Sequence, residues 1–374
     1  MSPGANVTNP IPRPGILDIA TYVGGESETP PGVGTLIKLS SNESALGPSR
    51  KAVAAYMAAG DRLHRYPDGP AAELRRALGR RWDLDPARIV CGNGSDEILA
   101  MLISAYAGPG DEVLYSEYGF LMYRISALAA GATPVAAPET DYRCDADAIL
   151  GKVGPRTRLV MLANPNNPTG TFLSRGEMQR LHAGLPRGVI FVIDAAYAEF
   201  VDDVGYDAGI ELAEASENVV MTRTFSKLYG LAALRLGWCY GAPEIIDVLN
   251  RVRGPFNVTS PAQAAAVAAL ADGAHEDAAR RHNERWRTWL AAKLTALGLF
   301  VVPGITNFVL ARFDDGNRSA VAAREFLKER GILVRGMEAY GLGDCLRISV
   351  GLEDENKAVA EALVEFLTAR RKSA

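Results

Sequence analysis

Between residues 112 and 225 four short apolar runs recur: EVLYS (112–116), RLVMLA (158–163), VIFVID (189–194) and VVMTRTF (219–225), each bounded by turn residues. A strand with one solvated face alternates polar and apolar side chains. These runs are apolar on both faces, as strands inside a parallel sheet are. Helical patterns separate several of them, such as Phe120–Ala130 and Ser174–Leu185. Such alternation restricts the chain to an α/β fold with helices on both faces of a mostly parallel sheet. Open sheets of this kind hold ligands outside the carboxyl ends of their strands, so the residues that follow each run are where chemistry is sought.

The rest of the chain divides around that sheet. The first 35 residues are rich in Pro, Gly and polar side chains and read as an arm. A short strand at Leu36–Leu39 enters SSNESALGPS, and helices are expected at Ala52–Ala59, Ala71–Trp82 and Asp96–Tyr106, with a strand at Arg88–Cys91. After Gly254 the texture changes. An Ala-rich helix, PAQAAAVAALADGA, continues into a long polar helix around Ala278–Leu297. NFVLARF (307–313), a helix near Arg318–Arg330, ILVRGM (332–337), LRISVG (346–351) and a last helix from Glu353 then complete a smaller α+β lobe. A length of 374 residues suits two lobes. The expected division is an arm and part of the small domain at 1–45, a large domain at 46–260 and a small C-terminal domain at 261–374.

Bulk properties exclude several classes. Forty basic residues against 44 acidic ones give a formal charge of −4, which attracts neither nucleic acid nor an anionic membrane surface. No apolar run approaches the length of a spanning helix, about 18 residues, and MSPGANVTNPIPRPG lacks the apolar centre of a signal peptide. Cys91, Cys144, Cys239 and Cys345 form no CxxC pair, and no histidine stands at a ligand spacing from them. Reduced thiols in a cytoplasmic protein are expected, with neither a disulfide frame nor a metal site.

Four segments carry the candidate chemistry. In CGNGSDEIL (91–99) two glycines and a serine lie between a strand and a helix, where backbone N–H groups and the helix dipole favour a phosphate; alone, the segment is also an ordinary turn with Asp96 and Glu97 in the first helical turn. NPNNPTG (164–170) follows the strand RLVMLA, and its two prolines and three asparagines fix a shape that a simple turn does not need. VIDAAYAEF (192–200) puts Asp194 at the end of the next run, where a carboxylate reaches solvent, caps a helix or pairs with a cation. Tyr197 follows three residues later. In TRTFSKLYGLAALRLGW (222–238) Lys227 follows the last run, with Thr224, Ser226 and Arg235 close by. A partly apolar pocket or a nearby cation favours a free amine, the form that makes a Schiff base, and hydroxyls beside a guanidinium suit a phosphorylated aldehyde.

Asn, Asp and Lys at the ends of successive apolar strands resemble the fold-type I pyridoxal-phosphate enzymes, the aspartate aminotransferase superfamily. Within it, LSSNESALGPS (39–49), RYPDG (65–69), GNGSDE (92–97), NPNNPTG, RTFSKLYGLAALRLGW (223–238) and LRISVGLEDEN (346–356) look like the characteristic stretches of the histidinol-phosphate aminotransferase branch. The resemblance covers nearly the whole chain. It implies a large domain with a seven-stranded type of sheet, a smaller α+β domain, and pyridoxal 5'-phosphate bound by Lys227 as a Schiff base. Asp194 would pair with the pyridine nitrogen, while Asn167 and Tyr197 would hydrogen-bond the ring's 3' oxygen. Phe120 would stack on the ring. Gly94, Ser95, Asp96, Thr224, Ser226 and Arg235 match the phosphate cup. Tyr66 matches a tyrosine given to that phosphate by a second subunit, which implies a homodimer with shared sites. Tyr22, Asn42, Arg335 and Arg347 match the substrate-binding positions, the two arginines gripping a phosphate or carboxylate.

The implied reaction moves an amino group from L-histidinol phosphate to 2-oxoglutarate. Two departures bear on substrate: EYGFLMY (117–123) has a phenylalanine where the branch usually carries a tyrosine, and SNES replaces SNEN. Three other readings share the scaffold: an aromatic amino acid aminotransferase, a decarboxylase that retains Lys227 and Asp194, and a non-catalytic binding protein.

Overall fold

The computed structural model describes residues 11–28, 34–313 and 316–369. The ends of the expected arm and of the last helix lie outside these residues. The strands are β1 (Ile37–Lys38), β2 (Ile89–Gly92), β3 (Glu112–Ser116), β4 (Thr133–Ala137), β5 (Thr157–Ala163), β6 (Ile190–Asp194), β7 (Val219–Thr224), β8 (Gly237–Gly241), β9 (Phe300–Val301), β10 (Phe308–Arg312), β11 (Ile332–Leu333), β12 (Arg335–Met337) and β13 (Leu342–Ser349). Seven of them form one sheet in the order β2-β8-β7-β6-β5-β3-β4. Only β8 runs against the others in that sheet.

The alternation of side chains in β5 and β6 shows why both faces had to be apolar. Val160, Leu162, Phe191 and Ile193 enter the core under the helices Ala72–Trp82, Arg175–Gly184 and Ser260–Leu270. Leu159, Met161, Ile190 and Val192 enter the opposite core, under Ser95–Tyr106, Leu121–Ala130 and Pro243–Val252. Removing one such buried side chain from water contributes about 1.5–3 kcal/mol, so a polar residue at any of these positions is strongly disfavoured.

A second sheet, β12-β13-β10-β9, is antiparallel and packs against Gly273–Ala296, Ala320–Lys328 and Glu353–Ala369. β1 pairs in parallel with β11, and Ser349 N–H bonds Leu39 O at 2.9 Å. The segment after the arm is thereby tied to the C-terminal part of the chain, and Ser40–Asn42 are delivered to the edge of the large sheet.

Two expected elements are corrected. The Ala-rich helix does not continue into the long polar one: Ser260–Leu270 ends at Ala271–Asp272, and a new helix starts at Gly273. Asp272 bonds Lys51 and its N–H reaches Ala269 O, a local turn that the shared alanine-rich composition hides. ILVRGM is not one strand. Its first two residues pair with β1 and its last three with β13, so the chain changes sheets at Val334. The four cysteines are free and buried. No helix among the described residues is long and apolar enough to cross a membrane.

Candidate active site

β5, β6 and β7 are adjacent in the sheet, so Asn164–Gly170, Asp194 and Lys227 emerge side by side at its carboxyl edge. They open onto a cavity of about 250 Å³. Tyr22, Asn42, Ser95, Asp96, Phe120, Asn167, Asp194, Tyr197, Thr224, Ser226, Lys227, Arg235, Arg335 and Arg347 all line it.

The NPNNPTG loop is held by its own side chains. Asn164 Oδ1 accepts from Leu173 N–H at 2.8 Å and its Nδ2 donates to Leu173 O at 3.1 Å, which staples both ends of the loop together. Asn166 Nδ2 donates to Thr169 Oγ1 at 3.0 Å, and both the Asn164–Pro165 and Asn167–Pro168 bonds are cis. Asn167 is left to face the cavity, where its Oδ1 accepts from Arg347 Nη1.

Asp194 is buried, with two side-chain donors. Tyr123 Oη donates to Oδ2 at 2.8 Å and Thr222 Oγ1 to Oδ1 at 3.2 Å. Burial raises the carboxyl from 3.8 to about 6 against the opposing effect of the Tyr123 hydrogen bond. Burial, and then the Asp194 charge, push the Tyr123 hydroxyl well above 10, so it stays a donor. A carboxylate so placed is built to meet a cation from the cavity side. Tyr123 and Thr222 were not among the residues singled out from sequence. Tyr123 lies one helical turn after Phe120, and that i, i+3 spacing was the available signal.

Three elements meet at one end of the cavity. The helix Ser95–Tyr106 starts at Gly94 with no side-chain cap, so its first N–H groups and its dipole face the cavity rim. Gly94 has φ +82°, and a Cβ there would lie 2.6 Å from Arg235 Nη2. Arg235, itself left-handed at φ 49°, donates to Asp96 Oδ2 at 3.2 Å and to Ser226 Oγ at 3.4 Å. Thr224 Oγ1 accepts from Ser226 N–H at 3.1 Å and fixes the turn that presents Lys227. Lys227 Nζ sits 5.6 Å from the centre of the Tyr197 ring, and that ring packs edge-on against Phe308 at 5.5 Å.

Arg347 comes from β13 and is buried, which lowers its affinity for a proton. Its Nη2 donates to Ser40 O at 3.2 Å, while its Nε has no partner. A guanidinium with an unused buried donor beside the cavity calls for an anionic ligand. Arg335, more exposed, donates to Val23 O at 2.7 Å and lies 5.8 Å from the Tyr22 ring centre, so the arm segment covers it. Tyr66 is not brought into the cavity by this chain. It stands 82% exposed, stacked at 4.6 Å on Phe256.

Residues 34–363 match the family described as aminotransferase class I and II. The chain belongs to that family. Among relatives of this aminotransferase, the histidinol-phosphate aminotransferase of Paramagnetospirillum magneticum is 56% identical over 97% of this chain and 100% of its own length. That of Rhodospirillum centenum is 57% identical over 96% of this chain and 99% of its own. In three dimensions the aminotransferase superposes on the crystal structure of histidinol-phosphate aminotransferase from Sinorhizobium meliloti in complex with pyridoxal-5'-phosphate. The TM-score is 0.85 at 28% identity, covering 96% of this chain and 97% of that one.

Proposed function

We propose that the chain binds pyridoxal 5'-phosphate and transfers the amino group of L-histidinol phosphate to 2-oxoglutarate, giving imidazole acetol phosphate and L-glutamate in histidine biosynthesis. The observation that carries this reading is the convergence of Lys227, Asp194 and the uncapped helix start at Ser95 on one cavity that Arg347 closes. The site fits the cofactor on its own chemistry: a buried carboxylate for a ring nitrogen, a lysine for an aldehyde, and N–H groups with Arg235 for a phosphate. When bound, pyridoxal phosphate supplies an aldehyde that condenses with amines and a cationic ring that withdraws electrons from the amino-bearing carbon.

This chain's residues do the rest. Asp194, raised to about 6 by burial, keeps a proton on the ring nitrogen because the ion pair offsets the cost of its own buried charge. Tyr123 and Thr222 hold its two oxygens in place. Lys227 carries the cofactor and moves a proton at the amino-bearing carbon of the substrate. Asn167 and Tyr197 would hydrogen-bond the ring oxygen, Phe120 would cover the ring face, and Ser95, Asp96, Thr224, Ser226 and Arg235, beside Gly94, would hold the phosphate. Arg347 and Arg335 take the substrate's anionic group, a phosphate in one half-reaction and a carboxylate in the other, under Tyr22 of the arm. The working form is a cytoplasmic homodimer in which Tyr66 of each subunit serves the other's phosphate site, with domains divided near residues 45 and 260.

Identity to the two relatives over nearly full length supports histidinol phosphate over the aromatic amino acids. The test is to mix the cofactor-loaded protein separately with L-histidinol phosphate, L-phenylalanine and L-tyrosine, and follow the visible absorbance of the bound cofactor. Histidinol phosphate is expected to bleach it at least about tenfold faster, a difference of 1.4 kcal/mol in barrier. Equal or faster bleaching by the aromatic amino acids moves the assignment to them.

A further inference from the structure

Tyr197 has one hydroxyl proton, and the hydrogen bonds behind the ring decide where it points. Ser349 Oγ accepts from the backbone N–H of Asn42 at 2.8 Å and donates its own proton to Asn42 Oδ1 at 3.1 Å. With Oδ1 committed as the acceptor, the NH2 end of that amide faces Tyr197 Oη at 2.9 Å. An amide nitrogen can only donate. Tyr197 Oη is therefore an acceptor on the Asn42 side, and its proton is turned toward the cavity that both residues line.

The backbone is committed to the same end. Asn42 has φ 54°, a left-handed conformation that asparagine tolerates, and Asn307 Nδ2 donates to both Asn42 O at 3.0 Å and Glu43 O at 3.2 Å. Asn42, Tyr197 and Ser349 are 1%, 4% and 3% exposed, so water does not compete for these bonds.

We propose that Asn42, oriented by Ser349, is a positioning residue that fixes Tyr197 as a hydrogen-bond donor into the cavity. The sequence pattern assigned Asn42 to substrate; in the structure one of its two side-chain N–H groups is donated to Tyr197. Ser349 lies two residues beyond Arg347 on β13 and so on the same side of the strand. One strand thus supplies both the guanidinium for the substrate's anion and the hydroxyl that sets the direction of Tyr197. The inference rests on the proposed binding of pyridoxal phosphate, because the ring oxygen is what Tyr197 would address.

A donor stabilises an anionic ring oxygen, so losing it raises the midpoint of the pH titration of the bound cofactor's visible absorbance. Tyr197→Phe is expected to raise that midpoint by about one unit. Asn42→Gly, which keeps the left-handed backbone accessible, is expected to raise it by at least half as much. Asn42→Gly added to Tyr197→Phe should cause no further rise, because the two act through one hydroxyl. A parental midpoint in Asn42→Gly, or an equal added shift in the Tyr197→Phe background, overturns the inference alone. A parent protein that takes up no pyridoxal phosphate overturns it together with the proposed function.

Discussion

Glu139 lies two residues past β4, with one carboxylate oxygen satisfied by Tyr118 N–H at 3.2 Å and the other, Oε2, buried without a partner. Burial raises it from 4.5 to about 7. Because the folded state holds this proton more tightly than the unfolded chain, its contribution to stability is complete below about 4.5. It is lost as pH rises toward 7 and stays lost above. Glu139→Gln cannot ionise, so its stability relative to the parent should grow across that window, by about 1–3 kcal/mol between pH 4.5 and 8. Melting curves at the two pH values measure this, and a constant difference would contradict it. Single residues were legible from sequence where a polar side chain ended an apolar run, as Asp194 does, or followed one within two residues, as Lys227 does. Tyr123 was not, because a tyrosine inside the apolar face of a helix looks like core until Asp194 is placed opposite it.

Among the elements, the closest approach at the site is between β8 and the helix Ser95–Tyr106. A Cβ on Gly237 would lie 2.3 Å from Ser95 N and 2.6 Å from Gly94 C, so only glycine lets the helix start sit on the strand. Gly237→Ala should push that start outward, costing about 1–3 kcal/mol of stability and weakening pyridoxal phosphate binding at least about tenfold. Cofactor titration of the apoprotein reads the second effect; unchanged affinity would show that the contact does not shape the cup. The buried parallel strands β3, β5, β6 and β7 were readable because burial on both faces leaves an uninterrupted apolar run. β8 was not. Its five residues begin and end in glycine, and nothing local marks a strand that gains its partners from β2 and β7. β4 escaped because four of its five residues are not fully buried, and the helix Pro243–Val252 because its proline reads as a breaker although it occupies the first turn.

At the scale of the molecule, Val53, Tyr56, Met57, Leu63, Tyr66 and Phe256 leave a surface with 42–82% exposed apolar side chains on the helix Arg50–Ala58 and the segments beside it. Its exposure suits the proposed homodimer, in which Tyr66 completes the site of the partner subunit. Mixing Lys227→Ala subunits with Tyr66→Phe subunits should restore activity to as much as about one quarter of the parent, since half of random dimers hold one intact site. No gain over the separate variants would place Tyr66 outside the shared site. The order of the apolar runs along the chain made the sheet legible. The pairing of β1 with β11, which brings Asn42 to Tyr197, joins segments too distant in sequence for any local pattern to announce. The proposed chemistry turns on Lys227 carrying the cofactor. Its most direct test is borohydride reduction of the protein loaded with pyridoxal phosphate, followed by peptide mass spectrometry. A single pyridoxyl label on Lys227 that disappears in Lys227→Ala is expected; a label on another lysine, or none, would remove Lys227 from this role.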